Sequence, residues 1–279
     1  MLRSRLTIFL LAVLAMSAGS SRVFAEDNAP AVPAPAEVKN QGDGTGEKAA
    51  AKVVDYGGGV SVIPNEHTVI LKGRTCVAGN EALEWAVVLT RGKDYESVVE
   101  VEADASMIQF ALIALGYEAG GGVDKLGDPR TPTGDGLIIE VEWELGGKKT
   151  HCRIEELIWE DAKAAVMEKT PFIFTGSKMI TDPETNKTIF LANSERLVAA
   201  LCREPAAILN NPLNTGVEDT FYIANTKALP PKGTSVTVFL KPAPRKAAPA
   251  QVQPALTTPA PASPVPAPSA VTAEPKGDK

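Results

Sequence analysis

Hydrophobic and polar residues alternate most regularly between Leu137 and Leu145, where Leu137, Ile139, Val141, Trp143 and Leu145 interleave with Ile138, Glu140, Glu142 and Glu144. A period of two is that of a strand with one face buried. Gly146-Gly147 follows, a pair suited to a two-residue hairpin loop with positive φ angles, and Lys148 to Ile154 forms the returning strand. This register sets Glu144 opposite Lys149, Glu142 opposite His151 and Glu140 opposite Arg153, with Val141 against Cys152 and Ile139 against Ile154. A slip of one residue would bury the carboxylates, so the pattern itself selects the pairing.

Shorter runs rich in β-branched residues, Val60 to Ile63 and Thr68 to Val77, predict strands broken by Pro64-Asn65-Glu66 and by Gly73. Glu84 to Thr90 and Ser97 to Glu102 continue what reads as a meander. The spacing changes at Ile108, Ala111, Leu112 and Leu115, which predicts an amphipathic helix near 104–115, capped by Asp104 or Ser106 and ended by Gly116. Phe172-Ile173-Phe174 and Thr188 to Leu191 flank the turn residues 182–186 and predict a second hairpin; Ser235 to Leu240 is the expected last strand. Glu155 to Met167 and Pro205 to Leu209 are candidate short helices, and Leu197 to Cys202 fits either type. Strands outnumber helices without alternating with them, so the expected class is α+β with a largely antiparallel sheet.

Both ends of the chain depart from this patterning. Arg3 and Arg5 precede an uncharged apolar run, Leu6 to Met16, and Val23-Phe24-Ala25 offers a cleavage site, so residues 1–25 read as a signal peptide removed before Glu26. Residues 26–52 read as a disordered linker and 241–279 as a disordered tail with ten prolines, neither able to bury enough apolar surface to offset its ordering. One folded domain, 53–240, is left between them. No second apolar run of spanning length follows, so no transmembrane segment is expected after cleavage, and the location is periplasmic or extracellular. A formal charge of −6 with scattered Lys and Arg argues against nucleic acid as a partner.

The residues that carry chemistry are few. Cys76, Cys152 and Cys202 are odd in number and widely spaced, which fits buried thiols or one bridge rather than a metal or cluster site. His67 and His151 are the only histidines; the hairpin places His151 on the charged face, and His67 follows the Pro64 turn as a candidate ligand contact. The long connection Gly116 to Gly136 carries Asp124, Asp128 and Asp135, hard-oxygen groups without EF-hand spacing. Asp94, Tyr95 and Glu96 cluster before a strand and are candidate groove contacts. Ser177 lies in no nucleophile elbow. No catalytic set, metal site or cofactor is indicated.

Leu83-Glu84, Tyr95-Glu96-Ser97-Val98, Ala111 to Tyr117 and Phe172-Ile173-Phe174-Thr175-Gly176-Ser177, taken in order, resemble the YdjY-like domain family of exported bacterial proteins. The similarity spans about Val53 to Pro242 and excludes both ends. The resemblance implies an envelope protein with no assigned substrate and no catalytic residues to carry over. In the family pattern histidine often stands at the position of Tyr95 and tryptophan at that of Phe172, so histidine chemistry at the first position does not carry over. The expected function is an exported, non-catalytic binding or structural domain of the envelope with an unidentified partner. The alternatives are a carboxylate-based hydrolase working through Asp94, Glu96 or the loop aspartates, and a metal or small-ligand carrier.

Overall fold

Strand pairing in this chain closes on itself. The computed structural model describes residues 52–244; the expected signal peptide, all but the last residue of the linker and the tail beyond 244 lie outside them. The elements that build the body are β1 (Val54–Gly57), β2 (Val60–Ile63), β3 (Thr68–Thr75), β4 (Trp85–Leu89), β5 (Ser97–Val101), α1 (Ala105–Ala114), β6 (Gly136–Leu145), β7 (Lys148–Arg153), β8 (Phe172–Phe174), α2 (Leu191–Glu195), β9 (Leu197–Ala200), β10 (Leu209–Asn210) and β11 (Ser235–Pro242). Eight of the strands form a closed barrel in the order β3-β11-β6-β8-β10-β9-β4-β5, with β5 returning to β3. Among the described residues only α1 and α2 are α-helices. The class is therefore mostly β with a closed barrel, which corrects the expected α+β architecture.

Closure depends on two strands that change partner midway. In β3, Thr68–Leu71 pairs with β2, and Gly73–Thr75 pairs with β5 on the same edge. Gly73 marks the exchange: a Cβ there would lie 2.0 Å from the Glu100 carbonyl oxygen, so only glycine lets the two backbones approach. In β6, Gly136 and Leu137 pair with β8, while the part from Glu140 onward pairs with β7. The barrel is lined by the buried alternation read from the sequence, Leu137, Ile139 and Val141 from β6 with Val236, Val238 and Leu240 from β11.

The β6–β7 hairpin has the expected register from Glu140↔Arg153 to Glu144↔Lys149, turning at Gly146 (φ 58°) and Gly147 (φ 77°). Its ion pairs run diagonally instead of straight across: Lys149 reaches Glu142 at 2.9 Å and His151 Nε2 reaches Glu140 at 2.8 Å. Other expectations are overturned. β4 and β5 pair in parallel, so this is no meander, and β9 and β10 are also parallel. Every residue of β4, β5 and β9 is buried, as parallel strands require, with Trp85, Val88, Leu197 and Ala207 forming a second small cluster. β8 pairs with β6 and β10, and Thr188–Phe190 pairs with Met179–Thr181, so the second hairpin has a different first strand. The span from 155 to 167 forms 3-10 turns and two short strands rather than a helix, and Pro205 to Leu209 is not helical.

α1 begins at Asp104, whose carboxylate accepts from the backbone N–H groups of Ser106 (2.8 Å) and Met107 (3.2 Å). Ile108, Ala111 and Leu112 face the main core, against the β1–β3 side. The helix stops at Gly116 (φ 87°), with Gly116 N–H donating to Ile113 and Tyr117 N–H to Leu112, a Schellman end. That stop directs Leu115 and Tyr117 toward the barrel rim.

Candidate functional site

The end of α1, the start of β6, the Pro171–Ile173 stretch and the end of β11 enclose a cleft of about 960 Å³. His67 is placed there by a 3-10 turn over Pro64–Glu66 that leaves it in the left-handed region at φ 49°. Its Nδ1 donates to the Leu115 carbonyl oxygen at 2.8 Å, and the Tyr117 hydroxyl donates to the His67 carbonyl oxygen at 2.7 Å. With Nδ1 so used, Nε2 is the ring nitrogen left to accept. Burial, and behind it the Asp135 charge, pushes the Tyr117 phenol up, so it stays a neutral donor.

Arg153, also lining the cleft, is held by a buried carboxylate. Its Nε and Nη2 both donate to the fully buried Glu155 carboxylate, and Nη2 also donates to the Thr170 carbonyl oxygen at 2.9 Å. Thr170 N–H donates to the same carboxylate at 3.0 Å. Asp135 Oδ2 accepts from Glu118 N–H at 2.9 Å, and the Asp135 carbonyl accepts from Phe174 N–H at 2.8 Å. Among the described residues, Asp135 Oδ1, His67 Nε2 and Arg153 Nη1 make no hydrogen bond. The floor between them is apolar, made by Ile138, Pro171, Ile173 and Pro242. An acceptor, an imidazole nitrogen and a cationic donor thus border an apolar trough, which suits an extended polar-ended ligand.

Of the residues singled out in the sequence, His67 and Asp135 meet in this cleft. Asp94, Tyr95 and Glu96 form a 3-10 turn before β5 and do not line it. Their chemistry lies instead in a pair of carboxyls. Parallel pairing of β4 and β5 brings Glu84 N–H to the Glu96 carbonyl at 3.1 Å. Burial, then a hydrogen bond with Glu96, raises the Glu84 carboxyl, and Glu96 Oε2 is buried with no donor among the described residues. Lys93 stands 3.6 Å from Glu84 and 5.1 Å from the Trp85 ring centroid. Tyr95 is 60% exposed.

Asp124 and Asp128 are engaged by cations of the chain itself. Arg130 donates to Asp124 at 2.7 Å and to both Asp128 oxygens, and Lys178 donates to Asp124 at 2.6 Å. The Lys178 and Arg130 bonds pull the Asp124 carboxyl down, and Arg130 pulls Asp128 down further. Among the described residues no group of three or more His, Cys, Asp or Glu could hold a metal ion.

No local pattern marks the buried cation beside this loop: Arg203, 1% exposed, donates to the carbonyls of Asp128, Asn211, Pro212 and Leu213. Burial lowers its guanidinium's pKa. Nor did alternation in β7 and a lone aromatic after a helix distinguish Arg153 and Tyr117 as cleft residues. The three cysteines are free, and burial pushes Cys76 and Cys152 up to about 12 and Cys202 up to about 11.

The model of the YdjY domain matches residues 49–241. No curated protein and no solved structure gives a significant match.

Proposed function

The chain belongs to the YdjY domain family, and from that membership we propose that it is an exported, non-catalytic binding domain of the bacterial cell envelope whose recognition surface is the barrel-rim cleft. The observation that carries this reading is the convergence there of segments far apart in sequence, each leaving one polar atom unengaged beside an apolar floor. The state of the reactive side chains supports binding over bond-making. A thiol held near 11 or 12 is almost wholly protonated at neutral pH and is a poor nucleophile. His67 Nδ1 donates to a backbone carbonyl and not to a carboxylate that would strengthen the ring as a base. Among the described residues no helix is long and apolar enough to cross a membrane. The Arg-led apolar run at 3–16 and the small residues before Glu26 support export.

Expression of the full chain in a bacterium, with fractionation, tests the reading. The chain is expected with the envelope fractions, and Ile138→Trp, which fills the cleft from an outward-facing strand position, is expected to lower its retention there about tenfold. Cytoplasmic accumulation of the full chain, or retention unchanged by Ile138→Trp, overturns it.

One observation favours a second reading. In the Glu84–Glu96 pair burial, then the hydrogen bond with Glu96, raises the Glu84 carboxyl, and two adjacent carboxyls are the groups a carboxylate hydrolase uses. The pair lies outside the cleft that would hold a substrate, which is why binding is preferred.

A further inference from the structure

Arg153 and Asp135 are tied to opposite ends of one short stretch of chain. Arg153 Nη2 donates to the Thr170 carbonyl at 2.9 Å, and the Asp135 carbonyl accepts from Phe174 N–H at 2.8 Å. Thr170 and Phe174 are four positions apart, about 13 Å along extended chain at about 3.3 Å per residue. Between them Pro171 and Ile173 form part of the apolar floor. The cleft is thus lined by a cationic side chain anchored at the Thr170 end of this stretch and by Asp135, whose backbone is anchored at the Phe174 end. Glu155 holds the guanidinium through Nε and Nη2 and leaves Nη1 available, so no side-chain ordering remains to be done when an anion arrives.

Resting on the reading of this cleft as the recognition surface, we propose that its ligand is a short extended peptide of about four residues with both termini free, its carboxylate on Arg153 and its ammonium on Asp135. An extended tetrapeptide matches the spacing of about 13 Å between those two backbone anchors. Its apolar side chains would rest on Ile138, Pro171 and Ile173, and His67 Nε2, in the same cleft, can accept from one of its amides. A carboxylate without an ammonium leaves Asp135 facing an apolar body, and an amine without a carboxylate leaves Arg153 so, which makes the two charges a length gauge and a filter.

Calorimetric titration of the full chain with the tetrapeptide Ala-Leu-Ala-Leu tests this, using the free peptide and its N-acetyl, C-amide and doubly capped forms. The free peptide is expected to bind, and each cap to weaken it at least tenfold. Asp135→Asn is expected to remove the penalty of acetylation alone, and Arg153→Lys, which keeps a cation for Glu155, the penalty of amidation alone. Equal affinities for all four forms, or no binding of any at 10 mM, overturn the proposal, and the wild-type series decides this even if a variant fails to fold. A flat series with envelope retention still sensitive to Ile138→Trp removes the peptide and leaves the cleft; insensitivity to that substitution removes the cleft.

Discussion

Arg203 shows how much a single side chain can organise when its charge is met by backbone alone. Its guanidinium bonds four carbonyls from two stretches, at Asp128 and at Asn211–Leu213, and Gly127 N–H returns to its own carbonyl at 2.8 Å. The planar fork, with five donors spread over three nitrogens, can reach all four at once, whereas a single ammonium nitrogen with three donors cannot. Arg203→Lys, with three donors for four carbonyls, is therefore expected to leave at least one buried carbonyl without a donor and to destabilise the domain by about 3 kcal/mol, read from the urea midpoint at unchanged slope. A shift under about 1 kcal/mol would mean that the loops hold themselves. Nothing in the sequence marks this residue, because an arginine that solvates carbonyls 8 to 75 positions away has no local pattern. His67 and Asp135 were visible as chemistry-bearing residues, but their meeting was not. It depends on where α1 stops and how β6 begins, both set by long-range packing.

At the level of elements, local signals succeeded where both partners lie close in sequence. The β6–β7 register follows from a period of two around Gly146-Gly147, and α1 from its spacing and its cap. The parallel pairs β4–β5 and β9–β10 were not legible, since their buried-on-both-faces runs carry no alternation to fix a neighbour. β8 was legible as a strand but not in its partners, because three residues are too few to fix a register, and β10, two residues long, is shorter than any period that could reveal it. For α1 the legible cap makes a prediction. Burial pushes the Asp104 carboxyl up, but bonds from Ser106, Asn193 and the Met107 N–H outweigh it, and the net shift is downward. A carboxylate with a lowered folded pKa contributes stability that is present above its unfolded value, about 3.9, and is lost as pH falls through the folded one. Asp104→Ala is expected to cost about 1 kcal/mol at pH 7, and the difference from wild type to shrink on acidification below about pH 4, followed by urea unfolding across pH. A difference that stays constant with pH would assign the loss to packing instead of the charged cap.

For the whole molecule the decisive contact is the return of β5 to β3, because without it the same strands form an open sheet with two exposed edges. The close approach at Gly73 permits that return, and it also explains why a turn reading of this glycine failed: the residue interrupts no strand but lets one strand serve two neighbours. Gly73→Ala puts a methyl 2.0 Å from a backbone oxygen that is itself fixed in a ladder, so neither side can yield cheaply. The substitution is expected to destabilise the domain by upward of about 3 kcal/mol and to raise amide exchange in β3 and β5 before the β6–β7 hairpin is affected. Gly79→Ala is the matched control, since its added methyl meets only the flexible Glu81 carboxylate at 3.3 Å and is expected to stay within about 0.5 kcal/mol of wild type. If Gly73→Ala were equally silent, closure would tolerate a wider gap, and the cleft geometry would need no closed barrel behind it. If exchange rises first at β3 and β5, the barrel seam is the weakest joint of the fold. The cleft floor is carried by β6, β8 and β11, and β11 pairs with β3 from Val69 to Arg74, so opening of the seam reaches the cleft through β11.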